Sequence, residues 1–175
     1  MVCSVFICIQ NSTKNLQINF CIWGLYKKMS GSVIDEMKLH KLLYLTQRES
    51  LAITGQPLFE EEFEGWKYGP VCREVRSCYT EDGMFSDDDI EEIELESAYI
   101  AKNVILQYGA LESWKLSQLS HKEISWKNAR QGIPDGKNGN KKLSLEDIRK
   151  DSEKVRPYDA IWDMYYDEFE DGEIR

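Results

Sequence analysis

Close metal-binding cysteine pairs, long apolar runs and an excess of basic residues are all missing from this sequence. Its five cysteines include no C-x-x-C pair, the spacing expected of a zinc or redox site, so we expect reduced thiols, no metal ion and a cytoplasmic location. The apolar start, residues 1–9, is too short to span a bilayer and lacks the basic residues and cleavage pattern of a signal peptide. We therefore predict no membrane insertion.

The shortage of basic residues narrows the range of partners. The chain carries 22 Lys and Arg residues against 31 Asp and Glu residues, which gives a formal net charge of -9 at pH 7. Such a field repels phosphate backbones, so nucleic acid is not expected as the principal ligand, and a basic or mixed-charge protein fits better. The 175 residues, 42% of them hydrophobic, fit one globular domain with its own core.

Helical periodicity dominates the first third of the chain. Apolar residues recur every three or four positions over Asn15–Met29, which predicts a first helix ended by Ser30, Gly31 and Ser32. A second helix should open at Asp35 and end near Gly55. Its predicted buried stripe consists of Leu39, Leu42, Leu43 and Thr46. His40 lies beside that stripe, where a packed or solvated side chain is the expected state rather than a ligand or a catalytic group.

The pattern changes to alternation with period two before the sequence Trp66-Lys67-Tyr68-Gly69-Pro70-Val71. We predict a short strand over Glu62–Tyr68, with Asn140–Leu143 as its candidate partner. Pro70 has a fixed φ and no N–H, which suits the first turn of a helix. The pair Gly69-Pro70 is therefore expected to form a turn and to start a helix that runs toward Tyr79.

Further helices are expected in the second half. An acidic helix capped by Ser86 should continue to Tyr108, and its acidic residues are expected to be solvated. The next, over Ala110–Leu119, should place Leu111 and Trp114 on its inner side. A helix should restart within Ser120–Arg130, a loop should follow, and Ser144 should cap a later helix. The acidic, aromatic stripe of Tyr158–Glu173 predicts a terminal amphipathic helix.

The sequence predicts no enzyme, no catalytic residues and no cofactor. His121-Lys122-Glu123 matches the H-x-E of zinc deaminases but lacks the P-C-x-x-C that should follow. Ser120 and His121 are neighbours whose side chains diverge, so they form no nucleophile and base. Gly136-Lys137 is not followed by Ser or Thr, as a phosphate-binding loop requires.

Four ordered blocks resemble the Panacea domain, a family associated with phages and with bacterial toxin–antitoxin operons. They are Lys38–Gln47, Pro57–Phe59, Glu64–Val71, and Leu119–His121 followed by Trp126. The resemblance covers roughly Asn15–Ile161, so we expect a Panacea-like domain over residues 15–175 and an extension over residues 1–14. Gly65 departs from the Ala that is usual in the family. The motif residues, expected to be structural and to support a partner-binding surface, are Lys38, Leu42, Tyr44, Trp66, Tyr68, Gly69, Pro70, Val71, His121 and Trp126.

The resemblance implies a mainly α-helical single-domain bundle with a small β-hairpin element. It also implies a cytoplasmic antitoxin that neutralises a cognate protein toxin, encoded by an adjacent gene, through direct binding. Sequestration of the toxin and its delivery to a protease both stay open, the latter with a protease or chaperone as a further partner. The alternative is a phage-encoded regulator or defence inhibitor that acts as an acidic protein-binding decoy, since the chain is acidic and has two acidic helices.

Overall fold

The computed structural model describes residues 14–60, 62–82 and 94–156, which form seven helices and one two-stranded antiparallel sheet. This confirms the expected mainly α fold with a small β hairpin. In chain order the elements are α1 Lys14–Ser30, α2 Glu36–Thr54, β1 Phe63–Trp66, β2 Gly69–Cys72, α3 Arg73–Asp82, α4 Leu95–Tyr108, α5 Ser113–Ser120, α6 Ile124–Ala129 and α7 Leu145–Ser152.

The first two helices begin and end where their sequence signals predict. The backbone at Gly31, just after α1, has a φ of +68°, a conformation that favours glycine. The carboxylate of Asp35 caps α2 by accepting a 2.9 Å hydrogen bond from the Lys38 N–H. Gly55 ends α2 with a φ of +70°, and its N–H donates to Leu51 O at 3.1 Å.

Helix α2 lies at the centre of the molecule. It contacts α1, α4, α5, α7 and β2, and every residue from Lys38 to Leu51 is buried. The predicted leucine stripe is therefore correct, but the helix is enclosed on all sides rather than on one face. Its polar and charged side chains must consequently find hydrogen-bond partners inside the protein, since an unpaired buried polar group is costly.

The hairpin corrects one expectation. Gly69 and Pro70 form the start of strand β2, and the following helix begins only at Arg73. In the register Gly65 faces Pro70 and Trp66 faces Gly69, with Lys67 and Tyr68 as the turn. Pro is tolerated here because β2 pairs with β1 on one side only, so no second partner strand needs its N–H.

The candidate pairing with residues 140–143 is also present. Glu64 forms an isolated antiparallel bridge with Lys142, on the side of β1 that faces away from β2. The bridge is made by Gly65 N–H to Lys141 O at 2.9 Å and Leu143 N–H to Phe63 O at 2.7 Å. The segment after the long loop is thereby attached to the hairpin.

The later helices agree with the sequence except at one face. Ser97, Ala101, Val104 and Ile105 of α4 are buried, so this helix has an inner face. Helix α5 begins at Ser113 rather than at Ala110, and its inner residues are Leu116, Ser117 and Ser120. Trp114, expected on the inner side, is 56% exposed. Apolar character alone misplaced it, because the inner face of this short helix is set by small serines that allow the hairpin to approach closely.

Some expectations fall outside the described residues. These are the Ser86 cap, the stripe of Tyr158–Glu173 and the extension over residues 1–14, of which only residue 14 is described. Helix α4 begins at Leu95 in the described part of the chain. Among the helices described, none is both long and apolar enough to cross a membrane.

Candidate functional site

The motif residues meet where the hairpin packs against three helices, a region that we call the hairpin joint (residues 66–70 with Lys41, Ser117, Ser120, His121 and Trp126). Three alternate carbonyl oxygens of the hairpin each accept a hydrogen bond from a different helix. Trp126 Nε1 of α6 donates to Trp66 O at 2.9 Å, and Ser117 Oγ of α5 donates to Tyr68 O at 2.9 Å. Lys41 Nζ of α2 donates to Pro70 O at 2.9 Å. The turn is therefore held by side chains that are distant in sequence.

Two further contacts hold the donors of the hairpin joint in place. The rings of His121 and Trp126 stack with centroids 4.0 Å apart and planes 16° from parallel. Ser117 lies in α5 one turn before His121, and its Oγ is 3.4 Å from His121 Nε2. Burial and the nearby Lys41 ammonium lower the pKa of His121, so this ring is neutral at pH 7. His121 therefore acts as a packing group that orients Trp126.

Gly69 is required by both conformation and space. Its φ is +106°, and a Cβ built there would lie 2.5 Å from Lys41 Cε and closer still to Ser120 Oγ. The family-motif glycine is thus explained by the close approach of α2 and α5 to the hairpin. Val71, the next motif residue but one, is buried beside it.

Buried lysines anchor both ends of this part of α2. Lys38 Nζ donates to Tyr26 OH at 3.0 Å and to Gly109 O, at the end of α4, at 3.1 Å. Lys41 Nζ makes the bond to Pro70 O, and burial lowers the pKa of Lys41 to about 7 although Glu36 and Asp35 act to raise it. These lysines connect α2 to backbone carbonyls of separate segments, which is a structural role.

A second polar cluster fixes the start of α6. Asp151 is fully buried and accepts hydrogen bonds from Ile124 N–H at 2.7 Å and Ser125 N–H at 2.9 Å. The hydroxyl of Tyr44 lies 2.9 Å from Ser125 Oγ and donates to Asp151 Oδ2 at 3.3 Å. The motif tyrosine is thus part of the network that positions α6, the helix that carries Trp126.

Arg48 extends the same cluster. It donates to Glu123 Oε1 at 2.6 Å, to Tyr108 OH at 3.1 Å and to Glu49 Oε1 at 3.2 Å. Burial raises the pKa of Glu123 to about 7, with Asp151 adding to the rise and Arg48 opposing it. Glu123 therefore has a structural role, as the acceptor of the Arg48 hydrogen bond rather than as a partner of His121.

The structure brings together seven of the ten motif residues and separates three. Trp66, Tyr68, Gly69, Pro70, Val71, His121 and Trp126 belong to the hairpin and its supports. Leu42 lies in the core. Lys38 connects α2 with α1 and with the end of α4, and Tyr44 contacts Ser125 of α6. Sequence reasoning singled out neither Lys41 nor Ser117 nor Asp151. One sequence signal was available for Lys41. It is a lysine within the apolar stretch of α2, a helix that is buried on all sides in this part.

Two aromatic side chains of this region reach the surface. Tyr68 is 54% exposed and Trp114 is 56% exposed. They lie on elements in direct contact, since Ser117, three residues after Trp114 on α5, binds the Tyr68 carbonyl. Large exposed aromatic residues are typical anchors of protein–protein interfaces.

Two concave features accompany this surface. A cavity of about 140 Å³ lies beside the hairpin joint, and His40, Lys41, Trp66 and Arg76 are among its lining residues. An open groove of about 530 Å³ is lined by residues of 57–60, 62–63 and 142–148. The described residues contain no group of three or more His, Cys, Asp or Glu side chains that could hold a metal ion.

Comparison with known proteins places the hairpin joint within a family. The family model described as "Antitoxin SocA-like, Panacea domain" matches residues 39–127, about half of the chain. This chain belongs to the Panacea family. The matched range contains nine of the ten motif residues, and only Lys38 falls just before it.

One curated relative is similar over a shorter stretch. Antitoxin SocA of Caulobacter vibrioides (strain NA1000 / CB15N) is 40% identical over 50 residues, which cover 29% of this chain and 27% of that protein. The similarity thus spans about a quarter of the relative's length. No solved structure matches the chain. The assignment of this chain to the Panacea family therefore depends on the family match over residues 39–127.

Proposed function

We propose that this protein is a cytoplasmic antitoxin that neutralises a cognate protein toxin by binding it directly. The observation that carries the proposal is the match of residues 39–127 to an antitoxin-like family. The matched range includes the hairpin joint, so the relation extends to the part of the fold that the motif residues build.

The use of the motif side chains supports a binding role over a catalytic one. The side chains of Lys41, Ser117 and Trp126 donate to backbone carbonyls, and His121 packs against Trp126. Side chains that make these hydrogen bonds and packing contacts fix the conformation of the surface next to them. The described residues of the hairpin joint thus act as a rigid support for whatever the neighbouring surface binds.

We place the toxin-binding surface at Tyr68 and Trp114. Both are exposed aromatics on elements fixed by the hairpin joint, so the backbone that carries them needs no ordering on binding. The net charge of -9 favours a basic or mixed-charge toxin and accelerates its association at low ionic strength. Alanine at a true interface anchor typically costs about 2 kcal/mol or more, roughly a thirtyfold loss of affinity.

Coexpression with the product of the adjacent gene tests the proposal. The intact chain should restore growth and copurify with that product. Tyr68→Ala and Trp114→Ala should weaken both effects, whereas Tyr99→Ala should not, since Tyr99 is 43% exposed on α4 and lies outside the proposed surface. Absence of both rescue and complex would remove the proposed function, and equal effects of all three variants would remove the proposed surface.

Sequestration and delivery to a protease differ in what happens to the toxin. If the antitoxin only sequesters, the toxin should persist at a constant level in the complex after synthesis stops. If it delivers the toxin, the half-life of the toxin should shorten when the antitoxin is present and recover in a protease-deficient host. A pulse–chase measurement of toxin level separates the two mechanisms.

The decoy alternative makes a different prediction. It depends on the acidic segment of residues 87–96, of which the described residues Glu94 and Glu96 are exposed. Reversal of the charges in this segment should abolish decoy activity and leave the antitoxin complex formed through Tyr68 and Trp114 largely intact. Rescue that survives charge reversal therefore favours the antitoxin.

A further inference from the structure

The small cavity beside the hairpin joint contains a histidine with no hydrogen-bond partner. His40 is 2% exposed, and among the described residues neither Nδ1 nor Nε2 has a hydrogen-bond partner. Glu36 Oε1 lies 3.6 Å from Nε2, beyond hydrogen-bond distance. Native proteins seldom leave a buried imidazole unpaired, because the desolvation cost is not recovered. The buried, unpaired ring therefore marks the cavity as a candidate binding site.

Lys41 and His40, which both line the cavity, have N–H donors to spare. In its ammonium form Lys41 has three N–H donors, and among the described residues one of them is used, in the 2.9 Å bond to Pro70 O. His40 is neutral, since burial and the charges of Lys41 and Arg76 lower its pKa to about 3, so one ring nitrogen supplies a further N–H and the other is an acceptor. The carboxylate of Glu36 also lines the cavity, and its Oε1 lies 2.9 Å from the Arg76 guanidinium. The spare N–H groups of Lys41 and His40 therefore favour an acceptor as the bound group.

Size and charge restrict the acceptor further. A volume of about 140 Å³ is well below the roughly 300–1,000 Å³ of sites for drug-sized ligands, and it fits a single functional group with its stem. A carboxylate has two acceptor oxygens and no donor, so it can bind both His40 and Lys41. It would also neutralise the Lys41 ammonium, whose charge has no acidic hydrogen-bond partner within the described residues.

We propose that the cavity lined by His40, Lys41 and Arg76 is a binding site for one carboxylate group. The carboxylate has two conceivable sources: a small free carboxylate, or an acidic side chain of a protein partner inserted beside the exposed Tyr68. The site itself does not depend on the proposed antitoxin function, because the spare N–H groups of His40 and Lys41 belong to the isolated chain.

Titration of the isolated full chain with acetate and with acetamide tests the site. The two probes have nearly the same shape, and only acetate has an acceptor-only, charged head. Acetate should shift the ¹⁵N signals of the His40 ring saturably, and acetamide should leave them unchanged. Equal responses to both probes, or no saturable response to acetate, would overturn the proposal and would leave the antitoxin function untouched.

A pair of lysine variants provides the matched control. Lys41→Met should weaken acetate binding by roughly tenfold or more, as expected for loss of a charge-assisted hydrogen bond. Lys38→Met removes a buried lysine of the same helix whose partners, Tyr26 OH and Gly109 O, lie outside the cavity, and it should leave acetate binding unchanged. Equal binding by the two variants would contradict the assignment, and the comparison of probes on the unmodified chain decides the matter if either variant does not fold.

The source of the carboxylate is distinguished in the toxin complex. If a side chain of the toxin fills the cavity, acetate should compete with complex formation and Lys41→Met should weaken the complex. If a free carboxylate is the ligand, the affinity of the complex should not change with acetate at constant ionic strength.

Discussion

Replacement of Gly69 by alanine should be one of the most destabilising single-methyl additions in this protein. The backbone there has a φ of +106°, outside the regions that residues with a Cβ normally occupy, which costs on the order of 1–3 kcal/mol. The added methyl would also press on Lys41 Cε and Ser120 Oγ, for which about 1–3 kcal/mol more is expected. The sum, about 2–6 kcal/mol, is a large part of the 5–15 kcal/mol typical of a whole domain.

Gly31→Ala is the matched control for the steric part. Gly31 also has a positive φ, of +68°, but a Cβ there would meet nothing within 4 Å. It should therefore lose only the conformational part, about 1–2 kcal/mol. Urea unfolding followed by circular dichroism gives the free energy of unfolding of both variants, and Gly69→Ala should be less stable by a further ~1–3 kcal/mol, the steric part.

A second substitution shows whether the loss arises from the predicted contact. Ser120→Ala removes the Oγ that the new methyl would meet, so it should recover part of the loss in the Gly69→Ala background. If Gly69→Ala and Gly31→Ala lose equal stability, or if Ser120→Ala recovers nothing, the reasoning about close approach in the hairpin joint is wrong.

Three further predictions address other parts of the account. The pKa of Lys41 is about 7 in the folded state against 10.5 ordinarily, so the folded state binds fewer protons and stability should rise between these values. From pH 7 to 8.5 this adds about 1–2 kcal/mol to the free energy of urea unfolding, and Lys41→Met should lack that component. Gly65→Ala should destabilise by about 1–3 kcal/mol in thermal unfolding, because its Cβ would lie 2.9 Å from Ala129 Cβ, and Ala129→Gly should relieve part of this. Asp151→Asn should cost about 1–3 kcal/mol in the same assay through loss of the buried cap of α6, whereas the exposed Glu146→Gln should change stability by less than about 0.5 kcal/mol.

Local signals predicted the parts of the fold that short-range forces determine. The caps at Asp35 and Ser144 and the stop at Gly55 were readable because the interacting groups lie within four residues of each other. Helical periodicity located α1 and α2 for the same reason. The glycine at position 65, where the family usually has Ala, is explained by a contact between residues that are distant in the sequence. Ala129 occupies the space that a Cβ at Gly65 would need.

Long-range contacts account for the errors. Pro70 satisfies the sequence rule for a helix start, yet it forms a strand because its carbonyl is bound by Lys41, 29 residues earlier, and its neighbours pair with β1. The apolar character of Trp114 predicts an inward position for it. In the structure Ser117 has the inner position instead, because it donates a hydrogen bond to Tyr68 O, 49 residues away. The cavity beside His40 and Lys41 likewise appears only when α2, α3 and the hairpin are assembled.

Calorimetric titration of the purified chain with the purified product of the adjacent gene tests the central claim most directly. We expect saturable binding with a defined stoichiometry, weakened at least tenfold by Tyr68→Ala or Trp114→Ala and unchanged by Tyr99→Ala. An absence of binding by a folded chain, together with no rescue of growth, would contradict the assignment of this Panacea domain as an antitoxin that acts by direct contact.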